Sequence, residues 1–412
     1  MALRLPAARN AHCVPAFCHY SYMRSFSSSS SAAPAQESVA VIDLFTGAGG
    51  LTEGWHEAIS ALGGSTEIRA SVELDEVASA SYAANFLKGR AHIQHVGGIE
   101  EWLDSIPTPA ADVVLGGPPC QGFSRLGKQD IDDPRNVLWK AYARTIQRAQ
   151  PKYFLMENVR PFLQSPQYLA LEGETRRGGM LEDYDLDVDV YRAADFGAFQ
   201  NRERTVVIGR RKDMPVLDEP AKTHSRETGW RTVAEAFRDI PGDVDGIDLP
   251  ARFTSKGRPG PFRSSELHLG REYSELSLKR FRSIKKGGNR FDIPDALLSE
   301  CWRKRPTGLT DVMGRLHWDK PSVTIRTEFY KPEKGRYLHP EENRAITHRE
   351  AARLQGFPDD FLWVGSKTAI GKQIGNAVPI QLAKAVSLPI VNALLQLADT
   401  RTPATSSAVA AA

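Results

Sequence analysis

The 412-residue sequence is 41% hydrophobic and 25% charged. That is enough to bury a large core and more than one compact domain of roughly 100–200 residues uses, so two domains are expected. No stretch approaches the ~20 consecutive apolar residues of a membrane span, which points to a soluble chain without a membrane partner. Four cysteines (Cys13, Cys18, Cys120, Cys301) are too few and too scattered for a disulfide framework. No CxxC pair or spaced Cys/His set suggests zinc, so a reducing compartment and no metal are expected.

The net charge of +3 is unevenly spread. Between Ala251 and Lys320 there are 16 Lys and Arg against 8 Asp and Glu, a local net of +8. Such a segment suits a polyanion-binding surface, although taken alone it reads equally as a solvated charged face.

Residues 1–36 hold no Asp or Glu, three arginines (Arg4, Arg9, Arg24) and a serine run from Ser25 to Ser31 interrupted by one Phe. Such a composition packs no core. It matches an organellar transit peptide or, more simply, an unstructured extension with Met23 as an internal start. Ser38–Phe45 reads as a buried strand, Thr46–Gly50 as a tight turn and Leu51–Leu62 as a helix. The unit repeats with a strand at Ile68–Leu74 and a helix at Asp75–Phe86. A strand at Ala111–Leu115 ends in Gly116-Gly-Pro-Pro-Cys120, and Arg135–Gln150 is helical. Tyr153–Met156 is a strand ending in Glu157-Asn-Val159, and Thr205–Gly209 is a further short strand. This alternation predicts an α/β fold, a mostly parallel sheet with helices on both faces. From about Met214 to Arg326 the chain is rich in Pro, Gly, Arg and Ser, which predicts a smaller, loop-rich domain. Helical spacing returns at Thr347–Gln355 and Ile380–Leu397, and Asp399–Ala412 reads as a frayed tail.

Three features carry chemistry. Glycines 47, 49 and 50 follow a buried strand and let the backbone approach a ligand, although their spacing departs from GxGxxG. Glu73 closes the second strand, where an acid accepts hydrogen bonds from ribose hydroxyls. Cys120 sits on a polar turn at the carboxyl end of a strand. That setting opens it to a lowered pKa and a nucleophilic role, whereas a lone cysteine elsewhere is commonly a small core residue. Glu157 ends the next strand at the same rim. Beside a thiolate it is expected to carry or share a proton, and standing alone it would read as a helix N-terminal acid. Arg202 and Arg204 lie at i, i+2 on one side of an extended segment, either a salt-bridged edge or a fork of donors toward a base carbonyl or phosphate.

Taken together, the motifs resemble those of the DNA (cytosine-5)-methyltransferases of bacterial restriction-modification type. They are Asp43-Leu-Phe-Thr-Gly-Ala-Gly-Gly50, Gly117-Pro-Pro-Cys-Gln-Gly-Phe-Ser124, Glu157-Asn-Val159 and Gln200-Asn-Arg-Glu-Arg204. Arg349-Glu-Ala-Ala-Arg-Leu-Gln-Gly-Phe-Pro358 and Gly371-Lys-Gln-Ile-Gly-Asn-Ala-Val-Pro379 complete them, in the family's order. The resemblance implies a Rossmann-like S-adenosylmethionine-dependent methyltransferase domain with a smaller target-recognition domain. The implied boundaries are a tail at 1–36, catalytic domain 37–213, target recognition 214–346, a return to the catalytic domain at 347–398, and a tail at 399–412.

By the same resemblance Cys120 is the nucleophile, Glu157 its acid partner, and Arg204, with Arg202 nearby, holds the target base. Phe45, Gly47, Gly49, Gly50 and Leu51 wrap the S-adenosylmethionine and Glu73 takes its ribose. Leu74, Ile99, Pro119, Leu138, Asn376 and Ala377 complete that pocket. Where the family carries an acid for the adenine amino group this chain has Gly98, leaving Glu100 or Glu101 to substitute, or binding to be weaker.

Double-stranded DNA is the implied substrate, its base flipped out under a loop spanning Gln121–Trp139 hinged at Gly122 and Gly127. Gln121, Ser124, Arg280, Lys285 and Lys286 are the candidate DNA contacts. A cognate restriction endonuclease is a candidate partner, and a monomer in the cytoplasm, or an organelle if 1–36 is a transit peptide, is expected. An RNA cytosine methyltransferase, a non-catalytic DNA-binding relative and a nicotinamide-dependent oxidoreductase are the competing readings. The basic middle segment argues against the first. The intact Cys120, Glu157 and Arg204 argue against the second, and the glycine spacing against the third.

Overall fold

The computed structural model describes residues 37–87, 92–119, 138–304 and 307–400. The expected tail at 1–36, and all but the first two residues of the one at 399–412, lie outside the described residues. Within them one sheet holds seven strands: β1 (Ser38–Leu44), β2 (Ser65–Glu73), β3 (Ile93–Val96), β4 (Val113–Gly116), β5 (Tyr153–Val159), β6 (Tyr184–Arg192) and β7 (Glu203–Arg211). Their order is β3-β2-β1-β4-β5-β7-β6. The first five pair in parallel, and β7 runs antiparallel to both β5 and β6.

Helices α1 (Gly50–Ala61), α2 (Glu76–Phe86), α3 (Ile99–Ser105), α4 (Leu138–Ala149) and α5 (Pro166–Gly173) belong to this half. Short α6 (Val233–Ala236), α7 (Glu275–Ser283) and α8 (Glu300–Arg303) lie in the middle segment. They are followed by α9 (His348–Gln355), α10 (Lys367–Asn376) and α11 (Ile380–Asp399). A two-residue pair joins β8 (Phe262–Arg263) to β9 (Leu362–Trp363).

Alternation along the strands splits the core into two layers. Val39, Val41, Val113, Leu115, Leu155, Val206 and Ile208 pack against α1 and α11. Ile42, Leu44, Val114, Phe154, Met156 and Val207 face the other way, toward α3 and α4. Helix α1 lies so close to α11 that a Cβ on Gly54 would sit 2.3 Å from the Ala383 Cβ. Most of α11, Ile380–Ala398, is a long apolar helix packed against the sheet layer that holds α1. By length and composition it is apolar enough to cross a membrane, and half of it is buried. Gln381, Lys384, Ser387 and Asn392 interrupt its apolar residues, so no consecutive run announces it.

The middle segment builds on the catalytic half. Val233, Phe237, Phe262, Leu316, Ile325 and Phe329 share a core with Tyr82, Phe86, Trp363, Ile370 and Ile374. A small core of its own contains Phe281, Ile284, Ile293, Met313 and Leu338. Its loops are tied by the buried Arg315 guanidinium, which donates to the carbonyls of Phe281, Ile284, His339, Glu341 and Glu342 and to Asn343 Oδ1. Paired carbonyls replace a sheet ladder there.

Candidate active site

After β1 the backbone is left-handed at Phe45 (φ 55°), Gly47 (φ 55°) and Gly49 (φ 101°). For Phe45 that is a sparsely populated conformation, held by its surroundings. The reversal delivers the chain into α1 at Gly50, with Leu51 buried in its first turn. Glu73, at the end of β2, accepts from Gly47 N at 2.8 Å and from Asp75 N at 2.7 Å. Burial raises its pKa while these N–H groups oppose the rise. Each oxygen keeps lone-pair capacity for ligand hydroxyls.

The C-terminal motif returns to this turn. A Cβ on Gly50 would stand 2.9 Å from Val378 O and 3.0 Å from the Ala377 Cβ, so only glycine lets the two segments touch. Asn376 ends α10 exposed beside Ala377. Leu74, adjoining Glu73, is 74% exposed, an apolar side chain without protein cover. Phe45 and Leu138 pack half-buried against the α3/α4 layer.

Ile99 opens α3 with its side chain in that same core, 3% exposed. A Cβ on Gly98 would meet nothing within 4 Å, so the position that lacks the acid faces open space. Of the two substitutes considered, Glu100 is ion-paired with Arg144, and Glu101 lies 3.9 Å from His95 Nε2.

The second half of the site forms where β4, β5 and β7 meet. Because β7 is antiparallel, its first residues lie at the carboxyl end of β5, with Arg204 opposite Val159. Arg204 Nε donates to Glu157 Oε1 at 2.7 Å, both side chains being 13% exposed. Burial lowers the pKa of Arg204 and the Glu157 carboxylate opposes that shift. Glu157 thus has a guanidinium partner here.

Asn158 Nδ2 donates to Pro118 O at 3.0 Å, and a Cβ on Gly117 would lie 3.3 Å from Glu157 Oε2. The Gly117–Pro119 turn thus docks on Glu157 and Asn158, with half-buried Pro119 as its last described residue. Cys120, Gln121 and Ser124 lie outside the described residues, as does the candidate loop up to Val137.

Arg202 does something other than expected. Its buried guanidinium donates to Ile325 O (2.9 Å) and Gly375 O (3.2 Å), fastening strand to scaffold. Burial, with Arg204 close by, lowers its pKa strongly. Arg280 likewise donates to Leu297 O at 2.7 Å and lies over the Trp302 ring. Both cations are used by carbonyls far away in sequence, which periodicity cannot reveal. Lys285 is exposed, and Lys286 is exposed in an ion pair with Glu341. Asn158, Gln200 and Gln355 stand inside the quoted motifs, but sequence reasoning gave them no role, and their place in those motifs was the only signal.

A family model described as C-5 cytosine-specific DNA methylase matches residues 39–392. The chain belongs to this family. Two relatives cover most of its length. The Type II methyltransferase M1.HphI of Haemophilus parahaemolyticus is 36% identical over 85% of this chain and 86% of the relative. M.XorII of Xanthomonas oryzae pv. oryzae is 32% identical over 86% and 84%. Among solved structures, a chain described as a DNA modification methyltransferase encoded within an E. coli prophage superposes with TM-score 0.63. It is 26% identical, over 87% of this chain and 99% of that one. The rim described above lies at the carboxyl ends of the parallel strands, where open α/β sheets place their ligands.

Proposed function

We propose that this methyltransferase takes its methyl group from S-adenosylmethionine and places it on C5 of a flipped-out cytosine in a specific duplex sequence, through a covalent Cys120 adduct. The observation that carries the proposal is the Glu157–Arg204 pair beside the Gly117–Pro119 turn, on the same rim as the glycine turn and Glu73. S-adenosylmethionine supplies an electrophilic methyl group when bound. The residues fit it: Glu73 can accept ribose hydroxyls, Leu74 and Phe45 offer apolar surface, and Gly50 and Ala377 close the turn. Gly98 leaves the adenine edge without a carboxylate at that position.

Cytosine C5 is a weak nucleophile. The Cys120 thiolate forms a bond to C6, and the displaced C5=C6 pair shifts to a C4=C5 double bond as charge moves to N3, giving an enamine. Glu157 hydrogen-bonds the N3 edge and Arg204 the O2 carbonyl, steadying the charge that develops. C5 would then take the methyl group, the S–CH3 bond of the sulfonium breaking and its electron pair staying on sulfur as the neutral thioether leaves. Loss of the C5 proton and departure of the Cys120 sulfur restore the double bond. Buried Arg204 and Glu157 act in low-polarity surroundings, where their charge counts for more than in water.

The basic middle segment would bind duplex phosphates through exposed lysines such as Lys285 and Lys286. The Type II relatives support a restriction-modification setting. A cognate endonuclease as partner, a monomeric enzyme and a cytoplasmic location belong to the same proposal. Bisulfite sequencing of DNA from cells expressing the chain tests activity and recognition sequence together. Cytosines at one sequence context should be protected from conversion, and Cys120→Ser should abolish this. Protection that persists in Cys120→Ser would refute the covalent route. No protected context at all would refute the assigned reaction.

A further inference from the structure

Three buried side chains bridge the two halves of the site. Gln200 Nε2 donates to Gln355 Oε1 at 2.6 Å and to Leu354 O at 3.0 Å, and its Oε1 accepts from Ile325 N at 3.2 Å. Gln355 Nε2 donates in turn to Ile374 O and, at 3.3 Å, to Ala377 O. Arg202 spans the same gap from Ile325 O to Gly375 O. Both glutamines are fully buried. The backbone joins in as well, since a Cβ on Gly375 would stand 2.3 Å from Arg326 C and Thr327 N.

The two ends of this bridge matter. At one end, Gln200 and Arg202 precede Arg204, which holds Glu157. At the other, Gly375 and Ala377 lead to the backbone that closes on Gly50. All of these bonds are buried except the part-buried one to Ala377 O, and a buried partner left unmade is costly. A shift of the Gly375–Val378 segment therefore has to be followed by Gln355, Gln200 and Arg202, or those bonds break.

We infer that Gln355 and Gln200 are positioning residues that couple the cofactor pocket to the pocket holding the target base. The inference rests on the assignment of those two pockets under Proposed function. Cofactor seated against Gly50 and Ala377 fixes the end of α10, and the glutamine pair passes that order to Arg202 and Arg204. By linkage, DNA bound at Arg204 tightens the cofactor by the same factor. A role in stability alone would weaken both pockets without linking them.

The test is hydrogen exchange on the full chain, with and without S-adenosylhomocysteine as the probe. In the wild type the probe should slow exchange in peptides covering 45–52 and also in those covering 199–206. The second effect is at least about five-fold, the lower end of ordinary site–site coupling. In Gln355→Met, protection at 45–52 should persist and the change at 199–206 should vanish. A destabilised variant would exchange faster in both states, leaving the probe-dependent difference intact, and that result overturns the coupling role. Protection at 45–52 without any change at 199–206 in the wild type also overturns it, whether or not the variant folds. Protection at neither segment would overturn the cofactor assignment, and the coupling with it.

Discussion

Asp43 stands at the end of β1 with 1% of its surface exposed, receiving a hydrogen bond from Thr52. Burial pushes its pKa from 3.8 up to about 7, and only hydrogen bonds from Thr52 and Tyr82 oppose the rise. The sign of the consequence is fixed. Between these two values the folded chain keeps a proton that the unfolded chain has released, so stability falls as pH rises. The contribution is fully present below pH 3.8 and lost by about pH 7. Each pH unit is worth at most about 1.4 kcal/mol and less near pH 7, so from pH 5 to 7 the wild type should lose about 2 kcal/mol relative to a variant that cannot titrate there. Asp43→Asn keeps the acceptor for Thr52 and removes the titration. Urea denaturation of both proteins at pH 5, 6, 7 and 8, followed by tryptophan fluorescence, measures the difference. The gap between the two should shift steadily in favour of the variant up to about pH 7 and then level off. Parallel stability curves across this range would show that Asp43 stays ionised in the fold, and the argument from burial would fail.

Glu157→Gln should lower the single-turnover methylation rate by about 100-fold or more while DNA affinity holds, because it removes the acid and keeps the shape. An unchanged rate would remove Glu157 from the chemistry. Gly50→Ala places a Cβ 2.9 Å from Val378 O. The forced separation should cost about 1–3 kcal/mol, divided between urea stability and S-adenosylhomocysteine affinity in a paired titration. If neither changes, the contact with the C-terminal segment is not limiting. Neutralising Lys285 and Lys286 together should make the slope of log affinity against log salt less steep by about 1.8 for duplex DNA. Arg280 is left intact in that variant because it supports Leu297 and Trp302. An unaltered slope would move the DNA surface elsewhere.

The elements legible in the sequence are those whose apolar residues lie in runs bounded by Gly or Pro. The strands ending at Leu44, Gly116 and Val159 are of this kind, being buried on both faces. Others gave weaker signals. Ile93–Val96 is only four residues long. β6 lines its exposed face with Asp185, Asp187 and Asp189, a residue type that strands disfavour. Helix α10 was unexpected because Gly371 and Gly375 disfavour a helix. Both are needed for packing: a Cβ on Gly371 would reach the Tyr330 ring at 2.7 Å, and one on Gly375 would collide with the backbone at Arg326. Tertiary contact overrode propensity there. Residue identity named Glu157 and Arg204 but not their direct pairing, which depends on the reversed direction of β7. The work of Arg202 and Arg280 was hidden because their acceptors are main-chain carbonyls, which carry no signature in sequence.

A second buried ion pair clarifies what the pair at the rim is for. Arg344 grips Glu350 through both oxygens at 2.7 and 2.9 Å, and Thr347 N donates to the same carboxylate at 2.7 Å. That acid is saturated by partners, as a scaffold requires, and the hydrogen bonds hold its pKa below the usual range against full burial. Glu157 is built differently. Arg204 engages Oε1, while Oε2 faces Gly117, a residue with no side chain to offer. Among the described residues the two charges share a single hydrogen bond, a poor way to stabilise a fold, since an apolar pair of similar size would serve as well or better. A carboxylate steadied by a cation on one side and bordered by glycine on the other keeps room for a polar ring edge. Under the proposed function that arrangement suits a site that grips a base and releases it, and the antiparallel β7 is what places Arg204 at the same rim as the end of β5.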